Sequence, residues 1–502
     1  MDCRAILEEQ ARLRPGKPAF ITKDATVTFL QLKDLVLKLA AVLSRYALKG
    51  ERVAIYLPNS LEYAYSYLAV WCLGMVAVPL DFMLTEEEVV SCVSHSEATL
   101  LIGKSKLNVS LAAIKERCPG LKAVISRDEG THGFPSLHEA LQAEASEVPA
   151  PAILDTDYAI IFYTSGTTGK PKGVLVNYRQ LEASPKAMKY FVNNDLTDSD
   201  IGLCALPFSH LGGLIYLQAN LLFGATILLM ERFLPLEFLR SVATHKVNWF
   251  WLVPSMYYAL LQLKEFGHFD LSTLRWVVVF GAPSSPDAIR KFHQHCPKAT
   301  LFHGWGMTET NAPTTVIPAG SLKIESVGKP PPWIQVKVFS DTALELPQGE
   351  IGEVVVRGWV VTDGYYRDAQ ATTHAMRAGW FHTGDLGRFD EEGYLYIVGR
   401  KKEMIKVGGE IVFEPEIEAA IHKHQDVVEV AAIGVPDPLR GEVPKAYIVL
   451  KGGSGLSEEE MRYFLRQHLA HFKIPHHIEF VPQLPKNRVG KIDKEKLRAS
   501  VS

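Results

Sequence analysis

Short apolar runs recur along the chain, separated by stretches whose apolar positions fall at helical spacing. From residue 19 to about 155 the order is AFIT, a helical stretch from Thr28 to about Ala47, RVAIYL, a second helical stretch across 60 to 73, MVAVPL and TLLIG. This strand–helix alternation predicts an open, largely parallel sheet covered by helices. A Pro/Ala-rich connector, EVPAPAILDTD, then reads as a subdomain boundary. The rhythm resumes with IGLCALPFSH, ATILLME, VNWFWLVPSMYYALL, LRWVVVFGAP and ATLFHGWGMTET. Several of these runs end in loops rich in Gly, Pro, Ser, Thr or His. Ligands of open α/β sheets gather at the carboxyl ends of strands, so these loops are expected to line one site.

Between residues 326 and 398 the pattern changes to short strands, IQVKVF, EVVVRG and YLYIVG, separated by Gly/Asp turns, which predicts a small β-rich subdomain. At GRKKEMIKVGGE, residues 399–410, four basic side chains crowd a stretch ending in two glycines and a glutamate. The main boundary is expected there, dividing an N-terminal domain, 1–400, from a C-terminal domain, 401–502. The last hundred residues alternate helix and strand and read as a compact α+β lobe. The fold class is therefore α/β: parallel subdomains, a small β-rich subdomain and a small C-terminal domain.

Length agrees with this division, because 502 residues exceed what one hydrophobic core usually supports. A net charge of -3 gives no general attraction to nucleic acid or anionic lipid. Cys3, Cys72, Cys92, Cys118, Cys204 and Cys296 form no C-x-x-C pair, which suits neither a zinc site nor a disulfide framework and points to a reducing cytoplasm. The N-terminus, MDCRAILEEQARLRPG, carries acidic residues and no apolar core segment, so it reads as a short amphipathic helix and not as a secretion signal. Residues 201–230 are apolar enough to raise the question of a membrane span. Pro207, Ser209, His210, Gly212, Gly213, Gln218 and Asn220 favour a buried strand, loop and helix instead, so no transmembrane segment is expected. A homodimer is left open.

The most informative stretch is 157–174, DYAIIFYTSGTTGKPKGV. An apolar strand, Tyr158 to Tyr163, runs into a loop suited to a polyphosphate. Gly166, Gly169 and Gly173 let the backbone approach closely, the hydroxyls of Thr164, Ser165, Thr167 and Thr168 donate hydrogen bonds, and Lys170 and Lys172 supply charge. A flexible linker is the bland alternative, but linkers do not usually follow a buried strand or carry two lysines around a proline. The P-loop NTPase pattern fails on spacing: Gly166 and Gly169 are three apart, and Pro171 disfavours helical geometry at Lys170.

What remains closely resembles the phosphate loop of the acyl-adenylating superfamily: acyl-CoA synthetases, peptide-synthetase adenylation domains and beetle luciferases. The resemblance runs from about residue 5 to 494, with several motifs in the family's order. GWGMTET, 304–310, resembles the motif in which an aromatic residue stacks on adenine, a threonine touches phosphate and a glutamate holds magnesium. Those roles fall to Trp305, Thr308 and Glu309, with Thr164 also near the metal. Many relatives carry Tyr where this chain has Trp305, so stacking is kept and a phenol hydrogen bond is not. Gly281 and Ala282, in FGAPSSP, join the ATP site by the same resemblance. In WFHTGDLG, 380–387, Asp385 is expected to bind the ribose hydroxyls with Arg400 as its partner, although an Asp in a Gly-rich turn also has a turn-forming reading. PKNRVGKIDK, 485–494, matches the C-terminal signature whose lysine, here Lys491, reaches the α-phosphate and the carboxylate; a solvated surface lysine is the alternative.

In this superfamily the C-terminal lobe rotates between two poses. Lys402 sits at the hinge position, and Lys406, Gly408 and Gly409 line the expected pantetheine tunnel. His210, in PFSHLGG, falls at a position between acyl and phosphate groups; a purely structural histidine is the other reading. The implied chemistry joins a carboxylate to the ATP α-phosphate as pyrophosphate departs, then transfers the acyl group to the thiol of CoA. Two anions must meet, so Mg²⁺, lysines and N–H donors are needed as electrostatic stabilisers. One carboxylate suffices for Mg²⁺, which keeps most of its waters.

The expected pocket stretches, 207–222, 251–262, 279–286 and 302–313, contain no Arg or Lys, and their acidic residue is Glu309. No Asp is available there to hold a substrate ammonium, which disfavours an amino acid and leaves an apolar monocarboxylic acid. WLVPSMYYALL and FGAPSSP look most like fatty-acyl-CoA synthetases, but Phe280 replaces a glycine that relatives often show and leaves chain length open. An aryl acid is the runner-up. An acyl-AMP ligase that loads a carrier protein, a non-catalytic acyl or nucleotide binding protein and a luciferase-like oxygenation stay as alternatives.

Overall fold

Val53, Ala54, Ile55 and Tyr56 are all buried, so the strand Arg52–Tyr56 is covered on both faces, as the centre of a parallel sheet requires. It lies third in a six-stranded sheet ordered Ala123–Ser126, Leu100–Gly103, Arg52–Tyr56, Val76–Leu80, Tyr158–Thr164 and Lys172–Asn177. The first five strands are parallel, and the last folds back antiparallel on the fifth. The computed structural model describes residues 1–502 apart from 129–132, 143–146, 165–171, 282–285, 312, 322, 409, 487–491 and 502.

A second sheet has the order Thr315–Val316, Thr300–Trp305, Trp276–Val279, Trp249–Leu252, Ile201–Cys204, Thr226–Leu229, Pro18–Ile21 and Thr26–Thr28. Its six central strands are parallel and its two edge strands antiparallel. Residues 18–21 thus join this sheet, opposite 226–229. The alternation along 19–155 predicted a single sheet there. A hydrophobic rhythm reports which residues are buried and not which strand they pair with. One core spans both sheets through the helices Phe29–Leu43, Leu61–Cys72 and Leu211–Phe223, with Val53, Ile55, Trp71, Ile227 and Val278 in contact with the same cluster. Helix starts are set locally: Thr28 and Gln31 form a capping box, and Ser60 accepts the amide of Tyr63.

These sheets belong to the first of two compact units, Met1–Lys323, Pro330–Gln335 and Arg357–Gly379. The second unit is Ile324–Lys329, Val336–Val356 and Trp380–Ser502. It contains an antiparallel group in which Trp380–Phe389 pairs with Gly352–Arg357 and with Leu395–Arg400. Its other sheet has the order Glu410–Phe413, Met404–Val407, Gly441–Leu450 and Val427–Asp437, with His477–Phe480 parallel to Gly441–Leu450. The helices Glu414–Ile421 and Glu458–Arg466 close a core of Ile405, Val412, Ile417, Ile433, Ile448 and Leu465. The fold is mixed α/β with parallel sheets and a small α+β C-terminal region.

Residues 201–230 form a strand, a loop, a 13-residue helix and a strand. Among the described residues no helix is long and apolar enough to cross a membrane. All six cysteines are buried and unbridged.

Candidate active site

The phosphate-loop strand ends at Thr164, directly opposite Lys172 on the returning strand. Ser165, Gly166, Thr167, Thr168, Gly169 and Lys170 lie outside the described residues; the two ends of their loop stand side by side. The Lys172 ammonium lies 5.1 Å from the centre of the Tyr365 ring, within cation–π range. The Tyr365 hydroxyl donates to Glu309 Oε1 at 3.0 Å. Burial, reinforced by the Glu309 charge, pushes the Tyr365 phenol well above its ordinary pKa and keeps it a donor. Segment 362–366 is stitched to the returning strand: Leu175 N–H donates to Gly364 O at 3.1 Å and Tyr366 N–H to Gly173 O at 2.7 Å. Thr362 N–H also donates to the Glu309 carbonyl at 2.8 Å. Thr164 and Lys172, on two paired strands, are brought together in this way with Glu309, far along the chain. Tyr365, which links them, was not expected; GYY between polar residues gives no sign of its partner.

Trp305, buried, closes the strand Thr300–Trp305, and its carbonyl accepts Thr314 N–H at 2.9 Å. The turn Thr308–Thr310 follows, tied by Thr310 Oγ1 donating to Met307 O at 3.0 Å and by Thr314 Oγ1 donating to Thr310 Oγ1 at 2.7 Å. Asn311, at φ 50°, ends the turn; Ser184 Oγ donates to its carbonyl at 2.6 Å, and its Nδ2 donates to Val360 O at 3.0 Å. Thr308 and Glu309 therefore stand on a turn fixed from three sides. Past the end of the neighbouring strand Trp276–Val279, Gly281, at φ 102°, follows Phe280; Ala282 lies outside the described residues. The Phe280 ring covers the α-carbon of Gly304: a β-carbon there would lie 2.7 Å from Phe280 Cζ and 2.1 Å from Thr315 O. Phe280 also packs against Trp251, ring centres 5.1 Å apart.

His210 precedes the helix Leu211–Phe223, and its Nε2 meets Asp81 Oδ2 at 2.8 Å. Asp81, just past the strand Val76–Leu80, was also missed by the sequence reading.

In the second unit Asp385 and Arg400 are opposed across paired strands, with Arg400 Nε 2.9 Å from Asp385 Oδ1. Asp385 is 3% exposed and lies within the strand Trp380–Phe389, not in a turn. Lys402 lies in the 3₁₀ turn Lys401–Glu403, 3.9 Å from Glu495. Lys406 is exposed on the strand Met404–Val407. Gly408, at φ 58°, has open space over its α-carbon, the nearest atom to a β-carbon being Arg440 Cγ at 3.9 Å. Gly409 and Lys491 lie outside the described residues. The Lys491 loop is closed at its base by a bridge between Lys486 and Ile492. Beyond it Lys494 Nζ lies 2.9 Å from Glu414 and 2.7 Å from Glu418, both on the helix Glu414–Ile421.

Among the described residues no three His, Cys, Asp or Glu side chains form a metal cage. The oxygen donors of Glu309 and Thr164 fit the hard, mostly hydrated Mg²⁺ that accompanies a nucleotide, which needs no such cage.

A family model for AMP-binding enzymes matches residues 7–366, and one for the AMP-binding enzyme C-terminal domain matches 416–491. The chain belongs to this family. It is 30% identical to the long-chain-fatty-acid–CoA ligase of Bacillus subtilis (strain 168), covering 98% of this chain and 93% of that one. The crystal structure of the anthranilate CoA ligase AuaEII with anthranoyl-AMP superposes with a TM-score of 0.91 at 27% identity, covering 100% of this chain and 97% of that one. The o-succinylbenzoate CoA synthetase MenE of Bacillus subtilis, in complex with ATP and magnesium ion, gives 0.86 at 29%, covering 99% and 98%.

Proposed function

We propose that this AMP-forming acid–CoA ligase activates an apolar monocarboxylic acid as its acyl-adenylate, with ATP as co-substrate, and then transfers the acyl group to CoA. The observation that carries the reading is the convergence of Thr164, Lys172 and Glu309 through Tyr365. A hydroxyl, a cation and an oriented carboxylate suit a nucleotide phosphate with its magnesium. When bound, that ion supplies Lewis-acid stabilisation of the phosphate charge. Glu309 and Thr164 would hold it. Lys172 and the loop lysine Lys170 offset charge on the phosphates, and Trp305 offers adenine an aromatic face. Asp385, oriented by Arg400, accepts from the ribose hydroxyls. Lys491 brings its ammonium to the reacting carboxylate and α-phosphate, while Lys406, Gly408 and Gly409 admit the pantetheine arm once the lobe has turned about Lys402. Domains 1–400 and 401–502 are the units of that rotation.

The acid is apolar because the pocket stretches lack Arg and Lys and contribute the aromatic pair Trp251 and Phe280. A fatty acid is the first reading. An aryl acid is the second, favoured by the Phe280 ring lying over Gly304, which fills space that a long chain would need. Lys491→Ala tests the mechanism: adenylation, measured as acid-dependent ATP–pyrophosphate exchange, is expected to lose about 3–5 kcal/mol of transition-state stabilisation. Normal exchange by that variant would remove Lys491 from the reaction.

A further inference from the structure

The loop carrying His210 is fixed from the other sheet. Asn59 Nδ2 donates to Leu206 O at 3.2 Å and to Met230 O at 2.9 Å, while its Oδ1 accepts Phe208 N–H at 3.1 Å. The Tyr67 hydroxyl donates to Phe208 O at 2.9 Å. Two residues on, His210 has extended backbone, and its carbonyl accepts Gly213 N–H at 3.1 Å and Leu214 N–H at 3.0 Å. Its backbone is therefore held on both sides. The side chain is held separately. Asp81 Oδ1 accepts Met83 N–H at 2.8 Å, which aims Oδ2 at His210 Nε2, 2.8 Å away. The Asp81 side chain is 14% exposed and that of His210 38%. One end of the imidazole is tied to a sheltered carboxylate while the ring still reaches solvent.

An ionised carboxylate only accepts, so the proton between these groups sits on Nε2. In the neutral imidazole Nδ1 then carries the lone pair. A lone pair is poorly suited to binding a phosphate oxygen and well suited to taking a proton. The second half-reaction has a proton to remove, because a thiol with a pKa near 8.5 is mostly protonated at neutral pH and its thiolate is the nucleophile.

We propose that His210 is the proton acceptor of thioester formation and that Asp81 is its positioning residue, an assignment that rests on the ligase reading above. As the CoA sulfur bonds to the acyl carbon, the thiol proton passes to Nδ1. The bond from that carbon to the phosphate oxygen breaks, and AMP leaves with the electron pair. The Asp81 carboxylate stabilises the imidazolium and keeps the Nε2 proton, and Nδ1 returns its proton to solvent.

The two half-reactions are measured apart: ATP–pyrophosphate exchange for adenylation, and single-turnover conversion of preformed acyl-AMP with CoA for thioester formation. In Asp81→Asn the amide can turn its NH₂ toward Nε2 and favour the opposite tautomer. Thioester formation is expected to fall about 100-fold or more, the lower range of a positioned base, with exchange within about threefold of wild type. His210→Ala is expected to lose thioester formation to a similar extent, with added imidazole restoring part of the thioester rate while Asp81 is intact. Equal loss in both half-reactions by an Asp81→Asn protein that melts as wild type does, or no loss in thioester formation, overturns the proposal. Should Asp81→Asn not fold, His210→Ala decides alone: equal loss without imidazole rescue overturns it. A wild-type chain that exchanges no pyrophosphate with any acid is a separate result, and it removes the ligase reading and this inference together.

Discussion

The six- and eight-stranded sheets of the first unit share a parallel core and differ in what their carboxyl ends present. The six-stranded sheet ends in polar groups: Thr164 beside Lys172 at one strand end, Asp81 at the next. The eight-stranded sheet ends in aromatic groups, Trp251, Phe280 and Trp305, two of them packed ring against ring. One edge suits phosphate and metal; the other suits an adenine ring and an apolar acid. On the proposed reading the nucleotide draws on both frames and the acid mainly on the second; they meet where His210 of the second faces Asp81 of the first and where Tyr365 links Glu309, just past Thr300–Trp305, to Lys172.

The comparison breaks most directly at Gly304. An alanine β-carbon there would meet the backbone oxygen of Thr315 at 2.1 Å, and a paired edge strand cannot move aside. Gly304→Ala is expected to cost at least about 3 kcal/mol in denaturant unfolding, the upper range for overpacking. A cost below about 1 kcal/mol would show that the aromatic edge is loosely packed.

A pH effect of similar size belongs to the same strand. His303 Nε2 is buried without a hydrogen-bond partner among the described residues, and burial holds the imidazole pKa down to about 4. The unfolded chain titrates near 6.5, so it binds the proton first as pH falls. Stability is then full above about pH 6.5 and is lost progressively toward pH 4, by up to about 3 kcal/mol. Unfolding of His303→Gln at pH 7 and pH 5 is expected to show a correspondingly smaller difference; an unchanged slope assigns the proton elsewhere.

On the polar edge the smallest effect is the most diagnostic. Tyr365→Phe removes the donor to Glu309 without altering shape. A loss of about 1.5–3 kcal/mol, typical of a hydrogen bond to a charged group, is expected as a roughly ten- to hundredfold rise in the Mg²⁺ concentration needed for half-maximal exchange. Titration of Mn²⁺ with ATP in the variant checks the same shift without turnover. An unchanged metal requirement separates Tyr365 from the metal function.

Much of the frame is legible in the sequence because buried parallel strands are apolar on both faces. RVAIYL, MVAVPL, TLLIG and the WVVV of LRWVVVFGAP each carry a strand. Their pairing is less legible, since AFIT joins a strand some two hundred residues away, at 226–229. The motif residues Glu309 and Asp385 could be named from local sequence, yet the groups that orient Glu309 and His210 could not. Tyr365 is 56 residues from Glu309, and Asp81 is 129 residues from His210. Such pairs are made by the meeting of loops, for which periodicity carries no signal. Asp385 shows a related limit: its glycine-rich neighbourhood also allowed a turn, whereas pairing with 399–400 draws it into a strand.

The most direct measurement is acid-dependent exchange of labelled pyrophosphate into ATP by the purified chain, with and without Mg²⁺. The acids should run from acetate to palmitate and include benzoate, a coumarate and several amino acids. Exchange is predicted with at least one apolar acid, only when Mg²⁺ is present, and with none of the amino acids. Absence of exchange with every acid, or preference for an amino acid, would contradict the account.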